Sequence, residues 1–99
     1  MVLLGMDVAA ARQAALAFDR SADSLDAIRA EVSNLLRSTT WDGSDADAFR
    51  AMWTSRHQRT MIDSARAIRQ AGATLRGNAS AQEDTSNDLG VYSDRKSVV

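Results

Sequence analysis

Chemistry in a chain of 99 residues has to come from a handful of side chains, and this sequence holds few of the useful kinds. His57 is the only histidine, so a histidine cluster around a metal ion is excluded. With Arg56 and Arg59 beside it, the ring reads as a surface helix residue, and a pH-sensitive contact is the remote alternative. There is no cysteine, hence no thiolate nucleophile, no disulfide framework and no cysteine-based metal or redox centre. No serine stands in a G-x-S-x-G elbow, and no glycine-rich phosphate loop is present. The carboxylates are scattered along helical segments with no pocket-forming loop. The reading is a protein that is not an enzyme and carries no cofactor or metal.

The remaining reactive groups are charges. Between residues 45 and 82 there are six arginines (Arg50, Arg56, Arg59, Arg66, Arg69, Arg76) against three aspartates (Asp45, Asp47, Asp63). At about 100° per residue, Arg59 and Arg66 fall opposite the stripe Met61, Ile68, Leu75. A nucleic-acid face would interleave aromatics with such arginines, and none follows Trp53 in this segment. With a net charge of −1 over the chain, wholesale attraction to nucleic acid or membrane is not expected. The arginines read as a solvated face or one that meets an acidic partner. Asp19, Asp23 and Asp26, interspersed with Arg12, Arg20 and Arg29, read as a solvated face too.

The elements that carry these residues are helical. The chain has no proline, which favours long uninterrupted helices, and strand-like alternation never persists. From about residue 7 to 38, Val8, Ala11, Ala15, Phe18, Ala22 and Leu25 step by three and four, then Ile28, Val32 and Leu35 continue after one extra step of three. Asp7 is the expected N-cap. A second helix is expected from about 45 to 82. Ser44 and Asp47 approximate a capping box, and Asp45 and Asp47 complement the dipole. Ala46, Phe49 and Trp53 begin its buried face; Met61, Ala65, Ile68, Gly72, Leu75 and Ala79 continue it. Gly72 there either admits a close helix approach or is merely tolerated. From Glu83 the pattern fails, and 83–99 is expected to be a frayed end and flexible tail.

Two long helices joined through about 39–44 make an antiparallel hairpin. Gly43 supplies the backbone freedom for the reversal, Asp42 and Ser44 satisfy local backbone groups, and Trp41 is an apolar plug at the closed end beside Phe49 and Trp53. A single seam buries each stripe only in part. Leu16, Leu36, Met52 and Ile62 also lie off the stripes. The economical solution is a second hairpin, giving an all-α four-helix bundle, with the chain paired to itself or to a similar hairpin. Phe18, Leu25, Ile28, Val32, Leu35, Phe49, Trp53, Met61, Ile68 and Leu75 are the candidate hairpin and dimer core. Leu16, Met52 and Ile62 are candidates to face a partner.

The residues Trp41-Asp42-Gly43, at the midpoint of a chain of this length and followed by Ala48-Phe49 and Trp53, resemble the WXG family of small type VII secretion substrates, the early secreted antigenic target-like proteins. The resemblance covers about residues 6–85. It implies a helical hairpin, a dimer forming a four-helix bundle, and export in the folded state by a membrane ATPase, alone or as escort to another substrate, which can be a larger secreted toxin. Such a chain is cytoplasmic before export and secreted without a cleaved signal peptide. That fits 1-MVLLGM-6, which is too short for a signal-peptide core, and the absence of a run of about 18 apolar residues that a spanning helix needs. The family's tail signal is a Tyr followed four residues later by Asp or Glu. Here Tyr92 is followed at that spacing by Lys96, so the signal position is degenerate, and either another tail feature is read or a partner carries the signal. Two other functions remain open on the residues alone: an intracellular helical adaptor that is not exported, and a membrane-active effector using Leu16, Met52 and Ile62.

Overall fold

A computed structural model describes the backbone of residues 7–98 and the side chains of residues 7–87. Helix α1 runs Val8–Ser38. Asp7 caps it as expected, its Oδ1 accepting the Ala10 N–H at 3.0 Å, which satisfies one of the open donors of the first turn. At the other end Thr39 turns extended, its N–H donating to the Leu35 carbonyl at 2.8 Å.

The reversal depends on one residue. Gly43 sits at φ 113 and ψ 174, the only positive-φ residue among those described. That region is closed to L side chains. Gly43 is itself the N-cap of α2 (Ser44–Met52), and its carbonyl accepts the Asp47 N–H at 3.0 Å. The expected Ser44–Asp47 capping box is therefore not what starts the second helix: Ser44 is already inside it, and no side chain caps that end. The carboxylates of Asp45 and Asp47 remain in the first turn, where the helix dipole favours them.

The second limb is not one uniform helix. After α2, residues Trp53–His57 form a π-turn, closed by the Gln58 N–H donating to the Trp53 carbonyl five residues back, and α3 follows as Gln58–Val98. The helical backbone thus continues beyond residue 82, where the sequence predicts a frayed end and a tail. Glu83 is half-buried and paired to α1. Beyond it no proline intervenes, and a single Gly90 costs only about 1 kcal/mol of helix propensity. Among the described residues there is no strand, and α1 packs antiparallel on α3. The chain is a helical hairpin with principal extents of 82 × 18 × 13 Å. Its least dimension is close to one helix diameter, about 10–12 Å, so nothing lies behind the seam.

The seam itself is built of small residues. Ala11, Ala15, Ala22, Ala46, Ala65 and Ala79 are buried, and among the described residues the one large side chain as deeply placed is Trp53. Gly72 joins them: a Cβ there would meet the Ala15 carbonyl at 3.3 Å, Asp19 Oδ1 at 3.4 Å and Phe18 Cβ at 3.5 Å. Glycine and alanine let the two backbones approach closely, and the approach pushes the larger side chains off the contact line to either side.

Candidate functional site

Helix geometry sorts those displaced side chains onto two broad faces. At about 100° per residue, Phe18, Leu25, Ile28, Val32 and Leu35 lie on one side of the α1 alanines. Met61, Ile68 and Leu75 lie on the same side of the α3 seam. Leu25, Val32, Met61, Ile68 and Leu75 are half-buried, whereas Ile28 and Leu35 are about half exposed, at 48% and 53%. The hairpin therefore leaves much of its candidate core uncovered along one face. No ion pair between the limbs runs along it among the described residues.

The other face is a ladder of charge. Arg12, Asp19 and Asp26 step by seven down α1, and Glu83, Arg76 and Arg69 step by seven up α3. Arg12 pairs with both carboxylate oxygens of Glu83, at 2.9 and 3.2 Å. Arg76 bonds Asp19, and Arg69 reaches Asp23 at 2.7 Å and Asp26 at 2.8 Å. Of the α1 charges that the sequence assigns to a solvated face, Arg12, Asp19, Asp23 and Asp26 bond across the seam. The hydrogen bond from Arg12, and then its charge, holds the Glu83 carboxyl below its ordinary value. Arg12 and Arg69 are held above theirs, chiefly by their hydrogen bonds to Glu83 and Asp23.

At the closed end, Trp41 packs on Phe49 with ring centroids 5.8 Å apart and planes inclined at 51°, yet remains 40% exposed. Arg50 lies over the Trp41 ring at 5.7 Å. Its guanidinium also donates to the main-chain carbonyls of Leu36, Thr39 and Trp41, at 3.1, 3.2 and 2.7 Å. Arg50 thus caps the C-terminus of α1 from the second limb, where a cation also meets the negative end of the helix dipole. The sequence predicts for Arg50 a solvated face or one that meets an acidic partner; its carbonyl partners lie nine to fourteen residues away, a separation that leaves no local pattern. Trp53 turns its indole Nε1–H to the Ser33 hydroxyl at 3.0 Å.

The π-turn at Trp53–His57 leaves a signal in the sequence. The buried face runs Ala46, Phe49, Trp53 and resumes at Met61, an interval of eight where steps of four and three would make seven. One inserted residue rotates the following helix by about 100°, which returns Ala65, Gly72 and Ala79 to the seam. His57 lies exposed in this π-turn. Arg66 is exposed and faces Asp63 at 3.8 Å on its own helix.

Leu16, Met52 and Ile62 are not brought together. Leu16 and Ile62 fall toward the charged side, far apart along the hairpin, and Met52 lies near the closed end on the other side. Tyr92 lies outside the residues whose side chains are described. Among the described residues no group of three or more His, Cys, Asp or Glu side chains could hold a metal ion, and no helix is long and apolar enough to cross a membrane. The described surface offers an apolar face, a charged face and a clamped turn. Searches of family models, of curated proteins and of solved structures find no match to this chain.

Proposed function

We propose that the chain is a non-enzymatic partner protein exported by the type VII route, and that its apolar face packs against a second hairpin, of its own kind or a similar one, to form a four-helix bundle. The observation that carries the pairing is the uncovered row of Phe18, Ile28 and Leu35 on a hairpin one helix thick. Apolar side chains exposed along one face favour protein contact, and burying them in a bundle removes them from water at about 25 cal/mol per Å2. The export reading is supported by the resemblance at Trp41-Asp42-Gly43, where Gly43 adopts a conformation reserved for glycine. In this reading Trp41 and Gly43 maintain the turn, the export ATPase is a partner, and a larger toxin is a cargo that the pair escorts. Tyr92, with Lys96 four residues on, leaves the tail signal to another feature or to the partner.

The test is localisation in the native host. The tagged chain is expected in the culture filtrate of the intact strain, free of a cytoplasmic marker, and absent from the filtrate when the export ATPase is deleted. Retention in the intact strain would instead make the protein an intracellular adaptor. Sedimentation equilibrium of the purified chain tests the pairing separately: self-pairing gives twice the 10.7 kDa chain mass, and a lone helical monomer that also fails to bind a similar hairpin removes it.

A further inference from the structure

The charged face ends, toward the turn, in a groove that the proposed pairing does not use. It has a volume of about 510 Å3 and lies between the last two turns of α1 and the π-turn. Arg29, Arg37 and Arg50 line it, together with Leu36, Trp53 and Gln58, and no aspartate or glutamate is among its described lining residues. The three guanidinium groups share very little negative charge. Arg50 is engaged by neutral main-chain carbonyls, and Arg37 by the amide oxygen of Asn34. Arg29 has only Asp26, at 3.8 Å, a carboxylate already held by Arg69 at 2.8 Å. The Arg29 Nε is buried and has no hydrogen-bond partner.

Size decides what kind of anion fits. A water molecule takes about 30 Å3, so a lone carboxylate or phosphate would fill a small part of the groove. Arg29 and Arg37 are also two helical turns apart, about 12 Å of rise. The occupant is an extended object with several side chains. Nucleic acid is disfavoured: the chain carries 13 acidic residues and a net charge of −1, and the one aromatic of the groove, Trp53, is 8% exposed, which leaves no open ring for base stacking.

We propose that this groove docks an acidic peptide segment of another protein, its carboxylates on Arg29 and Arg37 and an apolar side chain against Leu36 and the edge of Trp53. Guanidinium forks favour carboxylates through charge-assisted, often paired, hydrogen bonds. Because the groove opens on the face opposite Ile28 and Leu35, docking stands whether or not the hairpin pairs or is exported.

Fluorescence anisotropy of the full chain with a small set of labelled peptides, each about twelve residues long and differing in the spacing of Glu and Leu, tests this. At least one acidic peptide is expected to bind, and its Gln-for-Glu counterpart to bind about tenfold more weakly or worse. The same loss is expected in the R29Q/R37Q variant and in A30E, which sets a carboxylate at an exposed groove position, with helix content and solution mass unchanged in both. The proposal is overturned if no acidic peptide binds below about 1 mM, if the Gln peptide binds equally, if the variants bind as the parent does, or if an oligothymidylate binds more tightly than every peptide.

Discussion

The two broad faces of this hairpin flank the same line of alanines, yet they do opposite things. On one, Arg12, Asp19, Asp26 and their partners on α3 close the hairpin onto itself with charge. On the other, Ile28 and Leu35 stay exposed, with no interlimb ion pair among the described residues. Ion pairs on an exposed face add little stability, a median of about 0–1 kcal/mol, but they favour one register, because sliding one limb by a turn would carry Arg12, Arg69 and Arg76 away from their carboxylates. Apolar contact is stronger and less particular about register. The molecule thus bridges its limbs with charge on one face and leaves apolar side chains uncovered on the other. The closed end belongs to both faces: Trp41 and Phe49 continue the apolar side, and Arg50 and Arg37 the polar one.

This division can be attacked at the seam that both faces share. Trp53→Ala removes the one large buried side chain and is expected to cost about 3 kcal/mol, read as a fall in the thermal midpoint by circular dichroism. An unchanged midpoint would mean that the alanine seam alone holds the limbs together.

Next in size is the contrast between the faces. Ile28→Glu with Leu35→Glu is expected to weaken association at least about tenfold with helicity kept, as read by sedimentation. Asp19→Asn with Arg76→Gln on the charged side is expected to leave association within about twofold. Equal losses from the two pairs would erase the distinction between a self-closing face and a partner-facing one.

At the turn, Gly43→Ala must carry a Cβ at φ 113 and is expected to lose about 1–3 kcal/mol in denaturant unfolding. Gly77→Ala, with open space around its Cβ, should raise stability by a few tenths to about 1 kcal/mol.

The smallest effect is at the far end of the ladder. Arg12 depresses the Glu83 carboxyl in the folded state from its ordinary value of 4.5, so the stabilisation is fully present above that value. It is lost as pH falls from there through the lower folded value. Acid titration of the midpoint in low salt should show this loss in the parent and not in Glu83→Gln. It should also fade at high ionic strength; a parent and variant with the same acid profile would leave the pair without a role in register.

Much of the architecture was legible from one-dimensional pattern. The period of Val8, Ala11, Ala15, Phe18 and Ala22, the absence of proline, Asp7 as a cap and Gly43 at the reversal are local signals, and each depends on interactions within a turn or two of chain. The placement of the candidate residues was legible in part. Trp41 and Gly43 are at the turn, and Ile28 and Leu35 lie on an open apolar face. How much of each large apolar side chain the hairpin itself buries was not legible, because a stripe drawn from sequence does not say how closely two backbones approach.

By itself, then, the sequence determined that this chain is two long helices with one glycine-enabled reversal, and it did so because helix period, capping and φ restriction act between near neighbours. The tertiary structure alone decided three things. It set small residues at the contact line, because Gly72 and the alanines permit an approach that excludes bulk. It placed a π-turn at Trp53–His57, because a second limb with one residue too many must absorb it to keep Ala65 and Ala79 on the seam. It gave Arg50, Arg12, Asp19 and Glu83 their partners across nine to 71 residues of chain, pairings that exist only once the hairpin has closed.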